Sequence, residues 1–419
     1  MYNLILRHSD GGKSILEYNE ENHEMTQAGR RLSLDAAELP ACKDARWQCS
    51  EKLSVRISLG KRCNFHCAYC HQEKWRDRAR KRLPEDAEKK DLARLVHALV
   101  KLAQEHGGIG DIQFWGGEAL MYFEEIRYLH AELSKALGPE TLFFLATNGA
   151  LMHGERFRWV MEHDIRVSLS WDGKGQFLRG EDILRSPKTA ANIRALFARD
   201  PEKTSLAPVI TSKSGSMKEI CAEAKTILGV EELRLTDASL VVVVDEASRN
   251  VAVPASDLPA YSRCLHKDLL SGNLPEAQWA YTEALVFLRD LNVRSFPVGA
   301  TRCFAASPKT LTVDMHGNIL TCQNFSASSV DEEGEKHLLG TIFSSRPKKS
   351  PDLHRLKERQ TGRCRHCVVR QICKGGCPYW SKTYLDYNCK AYHAQTFPLL
   401  GLALHMLTGG VLAEVVRTH

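Results

Sequence analysis

From residue 53 to about residue 240 the chain alternates strand-like and helix-like stretches, and no other feature narrows its fold so far. Apolar, β-branched runs occur at LSVRISL (53–59), DIQFW (111–115), LFFLAT (142–147), IRVSLS (165–170), APVITS (207–212) and ELRLT (232–236). Helical periods separate them. The clearest puts Leu92, Leu95, Val96, Leu99, Leu102 and Ala103 on one stripe, after Pro84 and before Gly107-Gly108. Six consecutive β-α units predict parallel strands covered by helices, as an open sheet or a partial barrel. Such folds place their chemistry at the C-terminal ends of the strands.

The remaining segments differ in character. Residues 1–52 begin with an alternating segment, a turn at Gly11-Gly12 and a second alternating segment, ILEYN, which predicts an N-terminal hairpin followed by a linker. Residues 241–300 read as a helical bridge. Residues 301–392 are rich in cysteine, and within them TLTVD, a His316-Gly317-Asn318 turn and ILTC predict a hairpin. Residues 393–419 are expected to form an apolar C-terminal helix. With 419 residues, the chain is long enough for two or three domains. Its net charge of +6 is too weak to argue for nucleic acid as a partner. The N-terminus offers no signal-peptide core, and FPLLGLALHMLTGGVLAEVV (397–416) carries His405, Thr408 and three glycines. That stretch reads as a packed helix, so no membrane partner and a cytoplasmic location are expected.

In a cytoplasmic chain of this size, grouped thiols point to metal or catalysis rather than to disulfides. Of 14 cysteines, ten fall into groups. Cys63, Cys67 and Cys70 form a C-x3-C-x2-C triplet in KRCNFHCAYCHQ (61–72), just after the first strand. Zinc and iron–sulfur sites normally take four ligands. Two readings follow: a zinc knuckle that borrows a ligand from elsewhere, or a [4Fe–4S] cube whose fourth iron is left open for a substrate or cofactor.

The triplet, at this place in a β/α array, resembles the radical S-adenosylmethionine (SAM) superfamily. The resemblance implies that the open iron binds the amino and carboxylate groups of SAM. FWGGEAL (114–120), after the second strand, resembles the GGE motif of that superfamily. Gly116 and Gly117 would allow close backbone approach, and Glu118 would accept from the methionine ammonium. ATNGALM (146–152) and SLSWDG (168–173) resemble segments around the ribose and the methionine carboxylate, which makes Thr147, Asn148, Ser170 and Asp172 candidate contacts. Taken singly, each of these four residues is as well explained as a helix cap. Tyr69 resembles the aromatic that shields the cluster near the adenine.

A second field comprises Cys303 and Cys322, with Gly317 between them in a C-x13-G-x4-C spacing, then Cys364, Cys367, Cys373 and Cys377, and finally Cys389. A structural zinc ribbon would use four of these thiols and leave three over. The complete pattern resembles the SPASM extension of radical SAM enzymes. The resemblance implies a partial (β/α)6 barrel with a C-terminal cysteine-rich SPASM domain and three [4Fe–4S] clusters in all. By position, Cys303, Cys322 and Cys377 would hold auxiliary cluster I, and Cys364, Cys367, Cys373 and Cys389 auxiliary cluster II. The first set lacks a fourth local cysteine. An open iron is expected there, with Cys264 in YSRCLHKDLL as the alternative ligand.

The resemblance further implies cleavage of SAM to a 5′-deoxyadenosyl radical and net oxidation of a peptide or protein substrate. A carbon–carbon or thioether cross-link in a ribosomally made precursor is the expected product. Formylglycine formation in a sulfatase is the alternative, and a non-catalytic metal-binding module is the reading from a different class. A reductase or flavodoxin-like donor would supply electrons. WRDRARKR (75–82) is either a solvated loop or a dock for an acidic partner. Only 52 residues precede the barrel, so a peptide leader would add a strand to the N-terminal hairpin, use a separate protein, or be absent. Cys42, Cys49 and Cys221 show no pattern, and the histidines show no ligand spacing.

Overall fold

A computed structural model describes residues 1–33, 52–72, 89–236, 238–293, 295–296, 303, 307, 309–344 and 354–418. The run 75–82 and Cys42 and Cys49 lie outside the described residues.

The N-terminal segment is a meander of β1 (Tyr2–Arg7), β2 (Lys13–Asn19), β3 (Glu24–Gln27) and β4 (Arg30–Arg31). Alternation sets its buried face: Tyr2, Leu4 and Leu6 on β1 meet Tyr18 and Leu16 on β2.

Next comes the α/β array. Its elements are β5 (Leu53–Ser58), α1 (Lys89–Glu105), β6 (Ile109–Trp115), α2 (Phe123–Leu137), β7 (Leu142–Thr147), α3 (Gly154–Glu162) and β8 (Ile165–Leu169), followed by α4 (Ala190–Arg199), β9 (Thr204–Leu206), β10 (Val209–Ile210), α5 (Met217–Leu228) and β11 (Ser239–Leu240). Strands β5 to β9 pair in parallel in sequence order. A sixth rung comes from residues 234–236: Leu206 donates to the Arg234 carbonyl (2.8 Å) and accepts from Thr236 N (2.8 Å). This is the partial six-stranded barrel. Val55, Ile57, Ile112, Phe114, Leu145, Val167 and Leu169 are buried in its core, each contributing about 2 kcal/mol through apolar burial. Helix α1 buries Leu92, Leu95, Leu99 and Ala103 against it, with Val96 and Leu102 at the margin.

The fifth strand differs from expectation. The ladder beside β8 is carried by Thr204–Leu206 rather than by 207–212. Pro208 has no N–H to give, and beyond it Val209–Ile210 leave the main sheet to pair with Ser239–Leu240 in a separate two-stranded sheet.

Helices α6 (Glu246–Val251), α7 (Leu258–Leu270) and α8 (Gln278–Arg289) follow. The cysteine-rich segment opens with β12 (Thr310–Asp314), β13 (Asn318–Leu320) and β14 (Leu338–Thr341). These strands extend the barrel sheet, since β12 pairs in parallel with β5, from Thr310↔Ser54 to Asp314↔Ser58. Then come α9 (His354–Thr361), α10 (Arg370–Cys373), α11 (Leu385–Thr408) and β15 (Val411–Arg417).

The C-terminus corrects the expected helix over 393–419. The helix begins at Leu385 and carries Cys389; it stops where Gly409 takes a φ of 71°. The β-branched remainder pairs antiparallel with β1, so the two ends of the chain share one sheet in the order β15-β1-β2-β3-β4. Among the described residues no helix is long and apolar enough to cross a membrane.

Candidate functional site

A cavity of about 340 Å³ opens at the C-terminal ends of β5 to β8. Cys63, Cys67, Cys70 and Tyr69 reach it from the loop after β5, Gly116, Gly117 and Glu118 from the turn after β6, Thr147 and Asn148 from the end of β7, and Ser170 from the end of β8. The cysteine loop is held by its own backbone. Cys70 N donates to Cys67 O (3.1 Å), Ala68 N to Leu178 O (2.9 Å) and Phe65 N to Cys63 Sγ (3.4 Å).

The glycines of GGE serve this loop. A Cβ on Gly117 would stand 2.3 Å from Arg62 O and 2.7 Å from Lys61 O, and one on Gly116 would stand 2.9 Å from Gly60 O. With no Cβ there, Gly117 N donates to Gly60 O (2.9 Å) and Glu118 N to Arg62 O (2.8 Å), locking the second turn onto the first. The close approach expected at these glycines is therefore made to the chain's own cysteine loop.

Glu118 is buried. Its Oε1 accepts from Thr147 Oγ1 (2.5 Å) and Leu120 N (3.0 Å), and its Oε2 from Asn148 N (2.7 Å). Burial raises its pKa, while the three donors and the Arg179 charge pull it back. A carboxylate has about four acceptor positions, so one on Oε2 remains for a ligand. Asn148 is fixed as well, its Nδ2 donating to Asn64 Oδ1 (2.8 Å).

Asp172 stands apart from the other expected contacts. It is fully buried and does not line the cavity. Its Oδ1 accepts from Val209 N (2.9 Å) and Arg179 Nη2 (3.2 Å); its Oδ2 accepts from Tyr69 O–H and lies 3.4 Å from Arg179 Nε. With both oxygens committed, Asp172 anchors two cavity residues from beneath. Arg179 stacks 5.6 Å above the Tyr69 ring and does line the cavity. Burial is the largest influence and opposes its charge, but Asp172, Tyr69 and Cys67 together outweigh it and the guanidinium stays protonated. Sequence reasoning missed Arg179, whose only signal is one of two cations in the glycine-rich GKGQFLRG.

The second cysteine field divides in two. The thiols of Cys303, Cys322 and Cys377 interact electrostatically with one another, and those of Cys364, Cys367, Cys373 and Cys389 do likewise. Burial pushes Cys322 and Cys367 up to about 11, and Cys373 and Cys377 up to about 12. Against that, a backbone N–H two residues on faces each sulfur: Asn324 to Cys322, Val369 to Cys367, Gly375 to Cys373, and Tyr379 to Cys377 at 3.4 Å. Cys63 has the same arrangement. Backbone donors aimed at sulfur favour the thiolate, and all the described cysteines are free of disulfides. Thiols grouped in this way have the donor chemistry of iron–sulfur ligands, while among the described residues no three His, Cys, Asp or Glu side chains are arranged to hold a single metal ion.

Cys264 does not join the Cys303 set. It is exposed on α7, donates to Asp268 Oδ2 (3.7 Å), and has Asp268, Glu219 and Lys267 as its charged neighbours. Cys221 is buried on α5. Two cavity residues come from an unexpected quarter: Gln323 and Asn324, directly after Cys322.

Residues 57–179, which hold the triplet, the GGE turn, both strand-end segments and Arg179, match the Radical SAM superfamily. A probable GTP 3′,8-cyclase of Methanothermobacter thermautotrophicus is 26% identical over 193 residues, 44% of this chain and 59% of that protein. Among solved structures, native anSMEcpe with bound AdoMet and Kp18Cys peptide is similar at TM-score 0.57 and 17% identity, covering 84% of this chain and 99% of that one. The same protein with AdoMet and Cp18Cys peptide gives TM-score 0.57 and 20% identity over 85% of this chain and 99% of that one. By its cysteine loop, its GGE turn and the parallel strands that present them, the segment 57–179 is a domain of the radical SAM superfamily.

Proposed function

We propose that the protein is a radical SAM/SPASM enzyme that oxidises a peptide, forming a carbon–carbon or thioether cross-link in a ribosomally made precursor. The observation that carries this reading is the position of Cys322. One of the second set of thiols lies a single residue from the wall of the cavity that holds the first. A site for generating a radical and a site for removing an electron would then face the same substrate.

In this reading Cys63, Cys67 and Cys70 hold a [4Fe–4S] cluster and the cavity holds SAM. When bound, these supply a 5′-deoxyadenosyl radical able to take hydrogen from an unactivated carbon. The chain's own residues bind and orient. Glu118 Oε2 receives the methionine ammonium, and Thr147 and Asn148 hold that carboxylate in place. Arg179, fixed by Asp172 and stacked on Tyr69, presents a cation to the methionine carboxylate. Ser170 faces the cavity from the end of β8. Cys303, Cys322 and Cys377 would hold auxiliary cluster I, and Cys364, Cys367, Cys373 and Cys389 would hold auxiliary cluster II, each able to accept an electron. A flavodoxin-like donor or reductase supplies electrons, in the cytoplasm.

A peptide suits the lining better than a nucleotide. Among the described residues that line the cavity Arg179 is the one permanent cation, and Asp172 neutralises it. A triphosphate needs several cations. Gln72, Asn148, Gln323 and Asn324 instead line it with carboxamides, which match a peptide backbone. The structures of this fold that carry both AdoMet and a peptide support the same choice. Formylglycine formation would use the same radical step on a sulfatase peptide.

The test is anaerobic reconstitution, reduction with dithionite in the presence of SAM, and measurement of 5′-deoxyadenosine. Short peptides encoded beside the gene, and a sulfatase-derived peptide, are then assayed by mass spectrometry. Loss of two hydrogens with no other mass change supports a cross-link. Conversion of the sulfatase peptide alone supports formylglycine formation. No SAM cleavage at full iron loading would overturn both.

A further inference from the structure

The strap Gln323–Asn324 joins the two candidate sites. On one side it lines the cavity; on the other it adjoins Cys322. Two cations from the barrel hold it. Arg56 of β5 donates through Nη1 to Gln323 Oε1 (2.7 Å), and Lys61 reaches Gln323 O through Nζ (3.5 Å). Gln72 Nε2 adds bonds to Gln323 O and Asn324 Oδ1, both at 3.4 Å. Lys61 is only 1% exposed, and Cys322 only 8%.

We propose that Arg56 and Lys61 are positioning residues for the auxiliary site: their charges, fixed beside Cys322 through the Gln323 strap, raise the reduction potential of the cluster on Cys303, Cys322 and Cys377. The proposal rests on the reading that these three thiolates hold a cluster.

The electron balance gives these charges a purpose. After hydrogen abstraction the substrate carries one unpaired electron on carbon. Closing a new bond as a net oxidation releases one proton to water and one electron. The oxidised cluster takes that electron and is itself reduced by one, and a flavodoxin-like acceptor later removes it. Reduction adds a negative charge to a site whose thiolates are already negative. Nearby cations stabilise the reduced form more than the oxidised one, which shifts the potential upward. The strap places this stabilised acceptor one residue from the cavity in which the substrate radical forms.

The experiment is an anaerobic redox titration of the reconstituted full chain, followed by EPR, with iron counted on each sample. Wild type is compared with Arg56→Gln, with Arg56→Lys, which keeps the charge, and with Gln323→Glu, which adds an anion at nearly constant shape. Arg56→Gln and Gln323→Glu are expected to move one cluster to lower potential and leave the others in place. Arg56→Lys is expected to stay near wild type. The 5′-deoxyadenosine formed per product should rise several-fold in the two shifted variants. If Arg56→Gln does not fold, Gln323→Glu reads the same field. Unmoved potentials at full iron content would overturn the inference alone. A wild-type count of about eight irons rather than about twelve would instead overturn the cluster reading on which it rests.

Discussion

Replacing Glu118 with Gln tests the site at the residue that carries most of its polar order. The carboxylate accepts three bonds from the chain, two at Oε1 and one at Oε2. A glutamine offers one oxygen and one NH2. Whichever way the amide turns, a donor loses its acceptor, either Asn148 N–H or the Leu120 and Thr147 pair. An unsatisfied buried donor costs about 1–3 kcal/mol, and denaturant unfolding under anaerobic conditions should register a loss of that size. The amide also lacks the charge proposed to hold the methionine ammonium, and with its NH2 turned to the Oε2 place it lacks the free acceptor position as well. Losing one charged hydrogen bond costs about 1.5–3 kcal/mol, or roughly a 10- to 150-fold weaker Kd for SAM. Equilibrium dialysis with labelled SAM measures it. Thr147→Val separates the two effects. It removes a donor and an acceptor for Gly149 N, lowering stability by about 1–2 kcal/mol, but keeps the Oε2 position and should keep affinity within about threefold. A folded Glu118→Gln protein that binds SAM within about twofold of wild type would refute the reasoning.

Further expectations are open to direct measurement. Gly117→Ala would drive a Cβ to within 2.3 Å of Arg62 O, so the cysteine loop must shift; loss of about four irons per chain is expected. Converting Cys63, Cys67 and Cys70 to Ala together should abolish 5′-deoxyadenosine formation and leave about eight irons, whereas Cys264→Ala should leave iron content and EPR signals unchanged. Burial lowers the pKa of both His130 and His337 from 6.5 to about 4. Because the folded value lies below the unfolded one, their stability contribution is complete above pH 6.5 and is lost as pH falls toward 4, by up to about 1.4 kcal/mol per pH unit for each group. His130→Phe, set among Phe143, Trp159 and His163, should flatten its share of that slope in pH-dependent unfolding.

What could be read from the sequence was local. Cys63, Cys67 and Cys70, the GGE turn, Thr147 and Asn148 each follow a periodic strand, and periodicity fixes which strand end they occupy. Their convergence follows from parallel topology alone. Asp172 was placed at the right strand end, but spacing does not show that Tyr69, Arg179 and Val209 would consume both of its oxygens. Arg179, Gln323 and Asn324 were missed because their place depends on contacts far apart in sequence; Gln323 meets Arg56 across 267 positions. The strand at 204–206 was hidden because its three residues, TSL, are too short for a period to show. The terminal strand was hidden for another reason: VLAEVV continues the apolar character of the helix before it, and the break rests on Gly409.

The pairing of β12 with β5 bears on how separable this molecule's parts are. The strand leading toward Cys322 is a seam of the barrel sheet, joined to the barrel's own first strand over five residue pairs. A chain cut before residue 301 would leave Leu53–Ser58 as a bare edge, open to pairing with other chains. The cysteine-rich segment is therefore not a cassette that could be exchanged between barrels or swing as a door. The span from the cavity to Cys322 is set when the sheet closes, so in the proposed reaction an electron would cross packed chain rather than a hinge.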